Sequence, residues 1–140
     1  MKCISVFWLL ILLILTNETV AANDGYGLWL NYKPVAAERQ KEYNQRIKSL
    51  FIAGESPTLD IVKSELSSGL EKMLGKKLPE SISKAEQNTI IAGKLEDIAF
   101  LKNSVIEKGI GQINEEGFVI YSEPGKMTVI TAKSDIGVLY

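Results

Sequence analysis

Hydrophobic and polar positions along the chain change period several times, and each change marks an element. Ala36 to Ser49 is crowded with Glu, Arg, Gln and Lys, with Ala37, Tyr43 and Ile47 as sparse apolar positions. This pattern predicts a surface helix. Leu50 to Ala53 is a short apolar run closed by Gly54 and predicts a buried strand. At Ser56-Pro57-Thr58, Ser56 can cap a helix and Pro57 fits its first position, where a missing N–H costs nothing. Leu59, Val62, Leu66, Leu70 and Met73 then recur at spacings of 3, 4, 4 and 3, one face of a helix that Gly75 should end.

Thr89 to Ala92 is a second strand-like run, closed by Gly93, so Ile91-Ala92-Gly93 echoes Ile52-Ala53-Gly54. Two strands joined through a helix predict a βαβ unit with parallel pairing, both glycines being read as strand-exit turns. Leu95, Ile98, Leu101 and Val105 carry a weaker helical period, with an end expected near Lys108 and Gly109. Gly117 to Ser122 and Met127 to Ala132 are β-branched and aromatic, and the Pro124-Gly125 turn between them predicts an antiparallel hairpin. Ser134 and Asp135 are capping residues ahead of Ile136, Val138, Leu139 and Tyr140, which predict the first turn of an apolar helix. A buried helix is seldom one turn long, so the chain is expected to be truncated. The predicted fold is α/β: a two-layer sandwich with a mixed, partly parallel sheet and helices.

The N-terminus follows a different rule. Lys2 precedes an apolar run from Ile4 to Leu15 that only Ser5 interrupts, and Val20 and Ala22 stand at the −3 and −1 positions of a cleavage site. The run falls short of the ~20 residues that a membrane crossing needs. Residues 1–22 are therefore read as a cleaved secretory signal and 23–140 as one exported domain, periplasmic or extracellular, with no stable membrane anchoring. An uncleaved anchor holding the same domain is the alternative. A lipoprotein signal is disfavoured, because the single cysteine, Cys3, precedes the run.

Composition then narrows the chemistry. Removal of the signal removes the only thiol, and the chain has no histidine. Ser-His-Asp and Cys-His catalysis, disulfide scaffolds and thiolate-bound metal are excluded, and no metal or cofactor motif is found. GxGxxG and GxxxxGK[ST] are both missing. A formal net charge of −1 gives no basic face for nucleic acid.

Only carboxylates are left as candidate chemistry, and most read as surface groups. Glu115 and Glu116 are adjacent, so their side chains should diverge ahead of a strand. Glu38, Glu42, Asp60 and Glu65 lie on predicted helices rich in lysine, where ion pairs are the expectation. Asp135 is the exception, expected to cap a helix beside the junction with a following domain. Asn23 to Pro34 alternates aromatic and aliphatic residues and suits a short strand or an arm packed on the domain; its Tyr26, Trp29 and Tyr32 could form a sugar-stacking platform, although packing is favoured.

Asp24-Gly25-Tyr26-Gly27-Leu28-Trp29-Leu30 with Tyr32, Gly54-Glu55-Ser56-Pro57-Thr58, Glu65-Leu66-Ser67-Ser68-Gly69-Leu70 leading into Met73-Leu74-Gly75-Lys76, Glu116-Gly117-Phe118-Val119-Ile120 and Ser134-Asp135-Ile136-Gly137-Val138-Leu139-Tyr140 occur in that order. Together they resemble the N-terminal domain of the xylan α-glucuronidases, a glycoside hydrolase family. Lys94 to Ile113 departs from the pattern in being more charged and more helical. The resemblance implies an enzyme that removes glucuronic acid, usually 4-O-methylated, from the non-reducing end of xylo-oligosaccharides with inversion. In such enzymes the acid and base stand at the C-terminal ends of the strands of a following (β/α)8 barrel. No catalytic residue is carried over, because that barrel is not in this sequence. The implied partners are the barrel itself, the oligosaccharide through it, and a second copy through domains not present. Two other readings remain open: a stand-alone carbohydrate-binding module, and the accessory domain of another glycosidase such as a β-N-acetylhexosaminidase. The first reading expects an exposed apolar patch that includes the face bearing Val138 and Leu139.

Overall fold

Four strands form one sheet in this computed structural model, which describes residues 30–81, 87–102 and 104–140. The predicted signal over residues 1–22, and Tyr26 and Trp29 of the arm, lie outside the described residues. In chain order the elements are α1 (Ala37–Arg46), β1 (Ser49–Ala53), α2 (Pro57–Leu74), β2 (Thr89–Lys94), α3 (Val105–Ile110), β3 (Phe118–Glu123), β4 (Met127–Ala132) and α4 (Asp135–Leu139). The sheet order is β1-β2-β4-β3. β1, β2 and β4 run parallel, while β3 is antiparallel to β4, so the sheet is mixed as its sequence predicts.

Alternation along each strand sorts its side chains onto two faces. Ile52, Ala92, Ile130 and Ala132 point to one face, where Leu59 and Val62 of α2 and Val138 of α4 cover them. This is the helical layer of the α/β sandwich. Ala53, Ile91 and Val129 point to the other face, covered by Ile98, Leu101, Ile106 and Ile110. Ile98 lies between two short 3-10 turns, Leu95–Asp97 and Ala99–Leu101, Leu101 ends the second, and Ile106 and Ile110 belong to α3.

α2 starts and stops as its sequence requires. The Ser56 hydroxyl accepts a hydrogen bond from the Leu59 amide at 3.1 Å, Pro57 takes the first position, and Gly75 closes the helix at φ 67°. The hairpin turn is equally local: Gly125 has φ 79° and the Lys126 amide donates to the Glu123 carbonyl at 3.0 Å, the pattern of a type II turn.

Four expectations are corrected. Leu95, Ile98, Leu101 and Val105 do not share a helix. Ile98 is buried between two 3-10 turns and Leu101 at the end of the second, whereas Val105 opens a separate helix and is 68% exposed. The break lies at Ser104, whose hydroxyl accepts from the Glu107 amide at 3.3 Å and caps α3. Gly93 is not an exit turn, because it lies inside β2, paired with Ala53 and Thr131. A Cβ there would stand 2.5 Å from the Ala53 carbonyl oxygen, so the residue is glycine to let β1 approach. Of Asn23 to Pro34, read as a short strand or a packed arm, the described residues 30–34 form no strand. The predicted surface helix is shorter than 36–49 suggested, ending at Arg46, because Ser49 already pairs with Thr89 in the sheet.

Candidate functional site

The carboxyl ends of β1 and β2 are the first place to look for a ligand, since the chain leaves β1 toward the α2 face and β2 toward the opposite face. Open α/β sheets bind ligands at such switch points. Here the crevice is filled by the protein's own charges. Lys94 Nζ lies 2.8 Å from Glu96, 3.7 Å from Asp97 and 3.9 Å from Asp135. The Glu96 hydrogen bond, followed by the charges of Asp97 and Asp135, holds the Lys94 ammonium above its ordinary value of 10.5 against the partial desolvation that lowers it. The Asp97 carboxylate rests over Gly54, which has φ 95° and whose Cβ would meet that oxygen at 2.7 Å. Asp135 is thus tied into this network from the first turn of α4. The cap of that helix is Ser134, whose hydroxyl accepts from the Gly137 amide at 3.2 Å and donates to the Glu115 carbonyl at 2.7 Å. The expected capping role of Asp135 passes to its neighbour, because only the residue before the first turn can reach the free amides.

The remaining carboxylates stand apart. Glu42 pairs with Arg46 on exposed α1 at 3.0 Å. Glu38, Asp60, Glu115 and Glu116 are exposed on α1, on α2 and in the turn before β3. Among the described residues no cluster of His, Cys, Asp and Glu is arranged to hold a metal ion. No described helix is long and apolar enough to cross a membrane. A cleft of about 570 Å³ lies along β1, but its charged lining is a lysine, Lys63, paired at 2.8 Å with Glu80, together with Glu55 and Asp60.

A second hollow, of about 280 Å³, is different in kind. Its walls are Val62, Leu66, Leu70 and Met73 of α2, Phe118 and Ile120 of β3, and Val138, Leu139 and Tyr140 at the end of α4. Tyr32 closes one end, with its ring against Gly69, where any Cβ would come within 3.0 Å of it. The groove arises because α2 is longer than the strands it covers. Leu59 and Val62 sink into the core, while Leu66, Leu70 and Met73, on the same stripe, are only half-buried. Ile120 is 60% exposed and Phe118 43%, both on the outermost strand. This is the apolar patch expected around Val138 and Leu139, and it extends to β3, which the helical stripe alone did not reveal.

The groove has little with which to hold a sugar. Saccharides present hydroxyls on nearly every carbon, and each one desolvated needs a partner. The polar side chains of the lining are one carboxylate, Glu65, and the phenols of Tyr32 and Tyr140. Of the proposed stacking platform, Tyr32 is the described member, and it is a packing residue.

No curated protein matches the chain. The model of the family described as glycosyl hydrolase family 67 N-terminus matches residues 28–140, through every element above and both walls of the groove. The chain, an α/β sandwich matched along most of its length by that model, belongs to the N-terminal domains of glycosyl hydrolase family 67.

Proposed function

We propose that the chain is the accessory domain of an exported α-glucuronidase. In this reading the parent enzyme removes glucuronic acid, commonly 4-O-methylated, from xylo-oligosaccharides, with inversion, during xylan breakdown. A (β/α)8 barrel in the same polypeptide carries the acid and the base, and this domain packs against it. Residues 1–22 direct export and are removed. The family match carries the reading. It is supported by the motifs from Gly54-Glu55-Ser56-Pro57-Thr58 to Ser134-Asp135-Ile136-Gly137-Val138-Leu139-Tyr140, which stand in the order of the α-glucuronidases. Inverting hydrolysis needs two carboxyl groups about 6.5–9.5 Å apart across a sugar site. Asp135 lies 3.9 Å from the Lys94 ammonium.

The test is a product assay on aldouronic oligosaccharides, using this chain alone and the polypeptide continued through the family's hydrolase domain. The longer polypeptide is expected to release the uronic acid as the β-anomer first, and the 140-residue chain to release none. Release of a different sugar, or of the α-anomer first, would remove the substrate or the mechanism from this reading.

A further inference from the structure

The geometry points to the amino end of the parallel strands as a binding surface for a uronic-acid-bearing polysaccharide, held by its carboxylates, with a sugar ring seated between α1 and the hairpin turn. This rests on the accessory-domain reading and adds a surface, its residues and the chemistry of what it holds. The topology sorts charge by sheet end. α1 and its flanks, which lead into β1, carry Lys33, Arg39, Lys41, Arg46 and Lys48. α2 runs back antiparallel to the strands it joins and brings Lys72, Lys76 and Lys77 to the same end, where the Asn44 side-chain amide donates to the Leu74 carbonyl at 3.2 Å. Lys126 stands there too, just before β4. Only Glu38, Glu42, Glu71 and Glu123 oppose these nine cations among the described residues. The carboxyl end is the reverse. Glu55 and Asp60 follow β1, Glu96 and Asp97 follow β2, Asp135 follows β4, and Glu115 and Glu116 precede β3. A formal net charge of −1 averages over these two ends, so the basic face that the total argues against is present.

Folding does not account for the cluster. Arg46 pairs with Glu42, Lys126 pairs with Glu123, and the Lys48 ammonium donates to the Asn44 carbonyl. The other six cations have no ion pair among the described residues. Lys72 suits the last turn of α2, but Arg39 lies in the first turn of α1, where the helix dipole disfavours a cation. Like charges gathered at one end repel, and an anion seated among them relieves the repulsion. Beside them a hollow of about 160 Å³ has Tyr43 and Arg46 of α1 on one side, with Asn88 and Lys126 on the other. Tyr43 is 38% exposed and offers an aromatic face. Asn88 is held at φ 63° by backbone hydrogen bonds to Lys48 and Lys126, and its side-chain amide has no partner among the described residues. The Arg46–Glu42 pair is exposed and contributes little, so its guanidinium can turn to an incoming carboxylate. An aromatic face and a free amide beside a cation suit a sugar acid better than bare phosphate.

Fluorescence anisotropy of an end-labelled glucuronoxylan fragment, titrated with the 140-residue chain, tests this. The same fragment after carboxyl reduction, and a labelled single-stranded oligonucleotide, are the comparison ligands. Saturable binding of glucuronoxylan is expected, weakened by salt as screening shortens, with none to the reduced fragment. Lys76→Gln with Lys77→Gln should weaken it about fivefold, while removal of the same charge by Lys102→Gln with Lys108→Gln, on the α3 side, should leave it unchanged. Tyr43→Ala, which alters no charge, should weaken it at least about twofold, with the fold of every variant checked by circular dichroism. Absent binding, equal binding of the reduced fragment, equal loss from the two lysine pairs, or unchanged binding by Tyr43→Ala overturns the proposal. Tighter binding of the oligonucleotide also overturns it, by assigning the surface to phosphate. The product assay on the longer polypeptide is read separately. Release of uronic acid without this binding removes the surface and keeps the accessory-domain reading, and binding without release does the reverse.

Discussion

Gly54 and Gly93 close two similar tripeptides in the sequence and serve different ends in the fold. Gly54 turns the chain out of β1 at φ 95°, under the Asp97 carboxylate, whereas Gly93 is a strand residue against which the Ala53 backbone presses. The sequence contains no sign of that difference, because it depends on which strand becomes the neighbour. Gly93→Ala should therefore destabilise by about 1–3 kcal/mol through overpacking, read as a lower urea midpoint at unchanged slope. An unchanged midpoint would mean that β1 and β2 are not so close. Lys94 was likewise legible only as a lysine near a strand end. Its pKa is raised above 10.5 in the fold, so its contribution is complete below that value and fades as pH rises through the folded-state value. The stability difference between the wild type and Lys94→Gln should close only in the strongly alkaline range. A difference that stays constant through that range would count against the network with Glu96, Asp97 and Asp135.

Elements with their own start and stop chemistry were the legible ones. α2 has Ser56, Pro57 and Gly75 at its ends, and the hairpin has Pro124-Gly125, so propensity, capping and periodicity agree. Ser56→Ala should cost about 1 kcal/mol in thermal or urea unfolding. The segment from Leu95 to Val105 misleads because its apolar residues recur at near-helical spacing while following a curved path over the sheet. There, Ile98 and Leu101 are held by burial, and Ser104 starts a new helix. Ile98→Ala is expected to cost about 2–5 kcal/mol and Val105→Ala less than about 0.5. Comparable losses at both positions would restore the single helix. The groove was half legible for a related reason: the stripe Leu66, Leu70 and Met73 is visible as a helix face, but its opposite wall on β3 is set by sheet order.

At the scale of the described fold, a charged crevice and an apolar groove lie at different places on the sheet. The switch-point crevice that could have held a ligand contains Lys94 and its three carboxylates, while Phe118, Ile120 and Tyr140 are exposed around the groove between α2 and β3. The competing whole-molecule reading is a carbohydrate-binding module using the same groove. An amide-shift titration of the isotope-labelled chain with an aldouronic xylo-oligosaccharide separates the two most directly. The account predicts no saturable shift for Leu66, Leu70, Phe118 or Ile120 at millimolar sugar. Saturable shifts centred on those residues would contradict it and make the groove a sugar site.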